Sequence, residues 1–493
     1  MASVIGRISL ALFTALVVVA GAFVLLVLIG LFDRYQKETA ALGFAGIYER
    51  LAWEVGLSSD PGGATGIDAH HAGQRVNARG QLVSARWYQI PKLVGSGAVG
   101  EANQGTSVAL SADGTTAIVG GPGPNNADRD RSPLVGPTGA AWVFTRNGVV
   151  WTQQGGRLVG TTADFGGGLW SQGMSVALSA NGGTAIIGGP SDNKTTGAAW
   201  VFIRSDGVWT QQGNKLVGKV AHGEGDPLAA LGQGMSVALS ADGDTAIVGA
   251  WRADAAWVFT RSSGVWTQQG NRLVGSDAVG SARQGISVAL SADGNTAIEG
   301  GWSDNNRAGA TWVFTRKGGV WSQQGKKLIG SGAVGSARQG TSVALSADGN
   351  TAIVGAPGDN PSNPSAPFGT GATGAAWVFS RNNGLWSQQG DKLVGTGGFW
   401  TQQGASVALS ADGSTAVVGG FAEDRNASGA LVFTRTNGEW KQQEGVIGHN
   451  SVARSADPIA LSSDASMILL GELHDNGGVG AVRVFTRSHA GAY

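Results

Sequence analysis

Few side chains in this sequence have the type and spacing of a catalytic or metal-binding group. Two histidines are adjacent in a polar stretch and the others are scattered along the chain: His70, His71, His222, His449, His474 and His489. None belongs to a nucleophile motif, an HExxH sequence or a pair of catalytic carboxylates. Cysteine is absent, which excludes thiolate metal sites, Cys nucleophiles and disulfides. The sequence therefore predicts no catalytic residue, no metal site and no cofactor.

One carboxylate stands inside an apolar segment, and it is the first candidate for a binding residue. Glu299 is the fourth residue of the segment 296–301. Equivalent segments elsewhere in the chain have an apolar residue at this position: Val119, Ile187, Val248, Val354, Val418 and Leu470. A carboxylate in such surroundings needs a partner or has a raised pKa. Glu299 marks either a site or a substitution that is tolerated near the end of a strand.

Aromatic residues at positions that vary along the chain are the second set of candidates. They are Trp170, Trp251, Trp302, Phe399, Trp400 and Phe421. Three of them directly follow a pair of small residues, at a position where equivalent segments have proline. Exposed aromatics on one face would suit stacking on sugars or a protein hot spot. The alternative is that these rings fold over the scaffold as local packing.

The segments that must position these residues come from a repeat. The sequence SVALSADG and its variants begin at Ser107, Ser175, Ser236, Ser287, Ser342, Ser406 and, in a divergent copy, Pro458. Each complete copy contains four short apolar segments, which in the first copy are SVALS, TAIVGG, GAAWVFTR and VVWTQQGGRLVG. Short segments rich in Val, Ile, Ala and Trp between turn residues are typical of strands. A period near 50 residues with four strands predicts a β-propeller.

The two ends of the repeat region supply one blade together. The last copy ends at Val484–Arg487 and has no fourth segment, whereas a fourth segment without a copy of its own occurs at 86–95. A blade shared between both ends closes the ring and leaves no free sheet edge. We therefore predict an all-β fold, a seven-bladed β-propeller of four-stranded antiparallel blades over 85–493, closed by the strand 86–95.

These repeats resemble a known family. SVALSADG, then GGP or GAP, then GAAWVF, then W-x-Q-x-K-L is similar to the FG-GAP-type repeats of integrin-like seven-bladed propellers, and the resemblance covers 85–487. The kelch family, with paired glycines and one Trp per repeat, is the alternative and implies a propeller too. Integrin-type repeats often bind calcium in a DxDxDG loop. The SADG turn has one carboxylate, too few for calcium, so calcium binding is not expected.

The residues before the propeller predict attachment to a membrane. Residues 8–32 are 25 residues without charge, long enough as a helix to cross a bilayer. We expect 1–32 to be an uncleaved transmembrane anchor; the alternative is a cleaved signal peptide. Residues 33–57 have an apolar stripe and predict a juxtamembrane amphipathic helix, resting on lipid or packing against a partner subunit. Residues 58–84 are polar and Gly-rich, as expected of a flexible linker.

Antiparallel blades place their connections at two ends. The turns between the first and second and between the third and fourth strands are short throughout, and we call their end the short-turn face. The other connections form the long-loop face, whose longest loops are 122–138, 161–172, 219–233, 357–373 and 445–457. Long irregular loops on a rigid scaffold are the usual place for binding. Tryptophans at fixed positions in the third and fourth strands are expected to be packing residues.

The composition narrows the function. Lys+Arg and Asp+Glu are equal at 34 each, so no basic field favours a nucleic-acid partner. We predict a single-pass, membrane-anchored binding or adhesion module on the periplasmic or extracellular side, with the long-loop face presented to a protein or glycan. One alternative is a structural accessory subunit of a membrane assembly, joined through 1–57. A further alternative is a propeller enzyme, a hydrolase or lyase.

Overall fold

The repeat region forms seven four-stranded antiparallel sheets. The computed structural model describes residues 74–76, 82–84, 87–98, 100–123, 139–163, 172–219, 231–361, 371–396, 400–422, 427–450 and 457–487. The described residues all belong to one compact unit, Ala69–Ala490. Seven sheets with the same strand order confirm the predicted seven-bladed propeller.

Corresponding strands occupy the same position in every blade, counted from blade 1 to blade 7 along the chain. The first strands are β4 (Ser107–Leu110), β8 (Ser175–Leu178), β12 (Ser236–Leu239), β16 (Ser287–Leu290), β20 (Ser342–Leu345), β24 (Trp400–Leu409) and β28 (Ile459–Leu461). The second strands are β5 (Thr116–Gly121), β9 (Thr184–Gly189), β13 (Thr245–Ala250), β17 (Thr296–Gly301), β21 (Thr351–Ala356), β25 (Thr415–Ala422) and β29 (Met467–Glu472). The third strands are β6 (Ala140–Asn147), β10 (Ala198–Ser205), β14 (Ala255–Ser262), β18 (Ala310–Lys317), β22 (Ala375–Asn382), β26 (Ala427–Thr436) and β30 (Ala481–Arg487). The fourth strands are β7 (Val150–Gln153), β11 (Val208–Gln211), β15 (Val265–Gln268), β19 (Val320–Gln323), β23 (Leu385–Gln388), β27 (Glu439–Asn450) and, in blade 7, β3 (Trp87–Leu93).

Blade 7 is shared between the two ends of the repeat region. Its sheet order is β28-β29-β30-β3, and β3 pairs antiparallel with β30 in a register that places Ile90 opposite Val484. The predicted closing strand is thus confirmed, with a bulge between Ile90 and Leu93. The strand that follows the amino-terminal region therefore holds the ring closed.

A ring of backbone hydrogen bonds joins the inner turns of all seven blades. From N–H to carbonyl, at 2.8 to 3.1 Å, the bonds run Ala112 to Ala180, Ala180 to Ala241, Ala241 to Ala292, Ala292 to Ala347, Ala347 to Ala411, Ala411 to Ser463 and Ser463 to Ala112. The donors and acceptors are the residues just before the Asp or Asn of each turn, or its equivalent. SADG is therefore repeated because each blade must supply the same turn to this ring.

The carboxylate of the SADG turn is used within the turn. Asp113 Oδ1 accepts hydrogen bonds from Ser111 Oγ at 2.6 Å and from the Thr115 N–H at 3.0 Å. Burial opposes ionisation, but these hydrogen bonds outweigh it and lower the pKa of Asp113. This arrangement recurs in the other blades and explains one Asp or Asn per turn without a bound ion.

A tryptophan from the third strand fills each of five blade interfaces. Trp142, Trp200, Trp257, Trp312 and Trp377 are completely buried, as expected of packing residues. The Trp312 ring lies against Gly275, where a Cβ atom would come within 2.1 Å of the ring. Glycine is therefore required at the end of each KLVG segment. In blade 6, Leu431 takes the place of the tryptophan against Gly395.

The outer tryptophans join neighbouring blades. Trp266 Nε1 and Arg261 Nη1 both donate to Gln212 Oε1 of the preceding blade, at 3.1 and 3.0 Å, and the guanidinium lies over the indole ring. The same Gln–Arg–Trp group links five blade interfaces through Gln154, Gln212, Gln269, Gln324 and Gln389. These tryptophans are packing residues, as predicted.

The predicted anchor 1–32, the juxtamembrane helix 33–57 and the linker up to residue 73 lie outside the described residues. Within the predicted linker, β1 (Gln74–Val76) and β2 (Leu82–Ser84) pair antiparallel. In the part of the chain that the structure describes, no helix is long and apolar enough to span a membrane. The described helices are single turns: α1 (Asp192–Thr195), α2 (Asp304–Arg307) and α3 (Asp475–Gly478).

Candidate functional site

The long-loop face is where the second-to-third connection of one blade meets the following fourth-to-first connection. Parallel bridges join the two connections at Gly197 with Gln233, Gly309 with Gln339, Gly374 with Gln403 and Gln104 with Gly480. The structure describes this face without interruption between residues 231 and 361. Blades 3 to 5 are therefore the part of the face where a site can be built from side chains.

A buried glutamine fixes six of the seven fourth-to-first connections. Gln284 Oε1 accepts from the Gly275 N–H at 2.5 Å and its Nε2 donates to the Gly275 carbonyl at 3.3 Å. The same clamp is made by Gln104, Gln172, Gln233, Gln339 and Gln403. The connections are held at both ends, so the residues beside these glutamines are presented on rigid loops.

Trp251 lies half-buried on the connection after β13, and two guanidinium groups lie over its ring. Arg252 is 5.1 Å and Arg283 is 4.6 Å from the centre of the indole ring. Guanidinium groups at these distances are attracted by the face of the ring. Arg252 comes from the same connection, whereas Arg283 comes from the loop that leads into blade 4.

Trp302, after β17, repeats this arrangement one blade further on. Arg338 lies 5.7 Å from the centre of the Trp302 ring, and the Arg338 N–H donates to the Arg307 carbonyl at 2.9 Å. Burial, and then the charge of Arg307, lower the pKa of Arg338 below its ordinary value. A guanidinium nevertheless stays charged at neutral pH.

The two arrangements are adjacent. The Ser303 N–H donates to the Ala282 carbonyl at 3.1 Å, so Trp302 and Arg283 each lie one residue from a shared hydrogen bond. The six residues follow one another across blades 3 to 5, and we call them the Arg–Trp strip: Trp251, Arg252, Arg283, Trp302, Arg307 and Arg338. The strip brings together two of the predicted aromatic candidates.

The backbone at three of the four strip arginines is not the one that arginine prefers, and Arg307 has φ 71°. Arg283 has φ 61° and Arg338 has φ 60°. The equivalent residues include Asn103 and Gly232, with φ 52° and 69°, which are residue types that adopt this left-handed conformation at less cost. Non-glycine residues in this region cost about 1 to 3 kcal/mol unless the surroundings support them. Arginine at these positions is therefore explained by its side chain and not by the turn.

The acidic side chains that the structure describes beside the strip are engaged within the loops. Asp254 Oδ1 accepts from the Gln284 N–H at 3.1 Å and Oδ2 accepts from Ser281 Oγ at 3.0 Å. Asp304 is fully buried and forms an ion pair of 2.6 Å with Lys327. The strip is thus a positively charged surface on a chain whose total charge is zero.

The Asp–Asn turns of the long-loop face are structural. Asp192, Asp304 and Asp359 are fully buried and pair with Lys215, Lys327 and Lys392 at 2.5 to 2.6 Å, and Asp475 pairs with Lys92 at 2.7 Å. These pairs tie the second-to-third connection to the fourth strand of the same blade, at Lys92, or to the segment that follows it. Among the described residues, no group of three His, Asp or Glu side chains could hold a metal ion.

Glu299 lies in the interface between blades 3 and 4. In the sheet of blade 4 it lies opposite Val288 of β16 and Trp312 of β18. It is on the same face of β17 as Ala297, which packs with Ile247 of blade 3. The side chain is fully buried, and neither carboxyl oxygen has a hydrogen-bond partner among the described residues. Burial, and then the charge of Asp254, raise the pKa of Glu299 well above its ordinary value of 4.5. The raised pKa favours the protonated, neutral form of Glu299.

The remaining predicted site residues do not join the strip. Phe421 is wrong as an exposed aromatic, because β25 continues to Ala422 and leaves the Phe421 side chain only 5% exposed. Trp400 begins β24, but its side chain lies outside the described part of the structure, as do Trp170 and Phe399.

The four strip arginines were not predicted from the sequence. A signal was present, because GSARQG occurs twice, at 280–285 and 335–340, just after the two copies that have Trp251 and Trp302. The sequence does not show that these arginines and tryptophans meet. They meet because the loop that follows a blade lies beside the second-to-third connection of that blade.

Comparison with known proteins yields similar structures but no family. No protein-family model and no curated protein matches the chain, so the resemblance to FG-GAP-type repeats has no support beyond the propeller fold. The periplasmic gluconolactonase of Pseudomonas aeruginosa is similar at 18% identity and a TM-score of 0.46, covering 71% of this chain and 86% of that one. Kuenenia stuttgartiensis hydrazine synthase is similar at 11% identity and a TM-score of 0.48, covering 81% and 98%. Similarity at these identities and TM-scores identifies neither the family nor the activity of this chain.

Proposed function

We propose that this protein is a binding module that presents its long-loop face to a protein or glycan. The observation that carries the proposal is the Arg–Trp strip, where charged and aromatic side chains meet on loops fixed by buried glutamines. Binding sites built on rigid loops lose little conformational entropy when they bind. Arginine and tryptophan are also the residues most often found at the centre of binding hot spots.

The setting proposed for this module is a membrane surface. The uncharged segment within 1–32 would anchor the chain and the linker would carry the propeller on the periplasmic or extracellular side. The linker enters blade 7 at the start of its fourth strand, β3, on the short-turn face. Attachment at that end favours a long-loop face that points away from the membrane.

Loss of binding in a strip variant tests the proposal. The full-length chain and the double variant Trp251→Ala plus Trp302→Ala would be compared on a glycan array and by cross-linking to cell-surface proteins. The control is Val320→Ala plus Leu385→Ala, which removes apolar side chains that are 69% and 77% exposed on the short-turn face. We expect binding to be lost in the strip variant and kept in the control.

Two results would contradict the proposal. In the first, the strip variant binds every partner as well as the unmodified chain does. In the second, deletion of 1–57 abolishes all association while the strip variant keeps it, which would favour an accessory subunit joined through its amino-terminal region.

A further inference from the structure

The chemistry of the Arg–Trp strip indicates the charge of its ligand. Four guanidinium groups lie on the loops of blades 3 to 5, while Asp254 is hydrogen bonded within its loop and Asp304 is paired with Lys327. Glu299 is fully buried in the interface between blades 3 and 4 and makes no hydrogen bond to the strip arginines among the described residues. A surface with this excess of positive charge attracts anions.

The geometry of the strip indicates which anionic groups it would bind. The cations are arginines, whose planar fork matches the two oxygens of a carboxylate or sulfate, whereas lysines serve the internal ion pairs of these blades. Indole rings lie against Arg283 and Arg338 and limit the orientation of both guanidinium planes. Donors that are already oriented bind an anion at a lower entropic cost.

We propose that the Arg–Trp strip binds an acidic glycan, a sugar chain that carries carboxylate or sulfate groups; this inference rests on the proposed function. Guanidinium groups already lie over both indole rings, in the positions that nucleic-acid bases would need for stacking. The apolar surface of the strip is limited to two half-buried rings, whereas a protein partner typically inserts an anchor side chain into a pocket. A polyanionic sugar chain needs neither feature.

The test measures binding of the full-length chain to defined polyanions. The probes are heparin, polygalacturonate, neutral dextran, poly-glutamate and single-stranded oligo-dT, each at about 50 and about 200 mM NaCl. The variant is Arg283→Gln plus Arg338→Gln. Glutamine suits this backbone, because Gln402 has φ 54° at the equivalent position of the next copy. The control, Lys317→Gln plus Lys326→Gln, removes the same charge from exposed positions outside the strip.

The expected result is binding of heparin or polygalacturonate but not of dextran. The strip variant should bind at least about tenfold more weakly, as expected for charge-assisted hydrogen bonds, while the control should change by less than about twofold. Equal or tighter binding of poly-glutamate or oligo-dT would overturn the inference, as would equal losses in the variant and the control. If Trp251→Ala plus Trp302→Ala abolishes binding of a partner while neither acidic glycan binds, the inference fails and the proposed function stands.

Discussion

Blades 4 and 5 differ at one position in the middle of their second strands. The difference shows which kind of side chain a blade interface can tolerate there. Glu299 lies in β17 where Val354 lies in β21, and each is opposite a buried tryptophan of the third strand. Val354 is part of an apolar cluster with Leu328 and Trp377. Glu299 places a carboxyl group without a partner in the corresponding cluster of the preceding interface.

A blade interface can thus accommodate one uncompensated polar group. A buried, unsatisfied carboxyl group costs about 1 to 3 kcal/mol even when it is uncharged. The other six interfaces have an apolar residue at this position, and the ring of backbone hydrogen bonds joins all seven blades. The neighbouring blades therefore supply matched controls for each other, since the same substitution can be made in either direction.

The largest effect is expected when the glutamate is transferred to blade 5. Val354→Glu removes a fully buried apolar side chain and adds an unsatisfied carboxyl group, and it should lower the free energy of unfolding by about 4 kcal/mol at pH 5. Denaturant unfolding followed by tryptophan fluorescence measures this change. Val354→Thr serves as a size-matched control and should lower the free energy of unfolding much less. A loss below about 1 kcal/mol for Val354→Glu would mean that blade interfaces are not dry.

The reverse substitution should stabilise the protein. Glu299→Val restores the apolar residue found in the other blades and should raise the free energy of unfolding by about 2 kcal/mol at pH 5. Binding of a ligand to the Arg–Trp strip should not change, because Glu299 lies in the blade interface and has no hydrogen bond to the strip arginines. If Glu299→Val weakens that binding tenfold or more, Glu299 is part of the site and not a tolerated substitution.

The increase in the free energy of unfolding caused by Glu299→Val should become larger as the pH rises. The pKa of Glu299 is raised in the folded state, so between 4.5 and that raised pKa the unfolded chain loses its proton while the folded protein keeps it. In this window the unmodified protein loses up to about 1.4 kcal/mol of stability per pH unit from this group. Glu299→Val lacks this slope, and Glu299→Gln should lack it as well while retaining a buried polar group. Equal slopes in all three proteins would show that Glu299 is ionised in the folded state.

The fold was predicted in more detail than the site, because the two depend on different information. Seven copies repeat the same residues, so the strand count, the closing strand and the buried tryptophans follow from alignment of the chain with itself. The Arg–Trp strip depends on contacts between connections that are far apart in sequence, such as Trp251 with Arg283. Phe421 was misassigned because the sequence does not show that β25 is longer than the other second strands and buries this side chain.

The smallest expected effect concerns the closure of the ring. At the interface of blades 4 and 5, Trp386 Nε1 donates to Gln324 of the preceding blade at 3.0 Å. At the interface of blades 7 and 1, the equivalent of that glutamine is Ile90, and Trp151 Nε1 is buried without a partner among the described residues. The interface that closes the ring therefore lacks a hydrogen bond that five other interfaces have.

Phenylalanine substitutions measure how much this hydrogen bond contributes to stability. Trp386→Phe and Trp151→Phe remove similar ring area, but only Trp386→Phe breaks a hydrogen bond. Trp386→Phe should therefore lower the free energy of unfolding by about 1 kcal/mol more than Trp151→Phe does, as measured by thermal and denaturant unfolding. A loss for Trp151→Phe that equals or exceeds the loss for Trp386→Phe would indicate that Trp151 has a partner in solution. In that case the closing interface would be as well bonded as the five interfaces that have the glutamine.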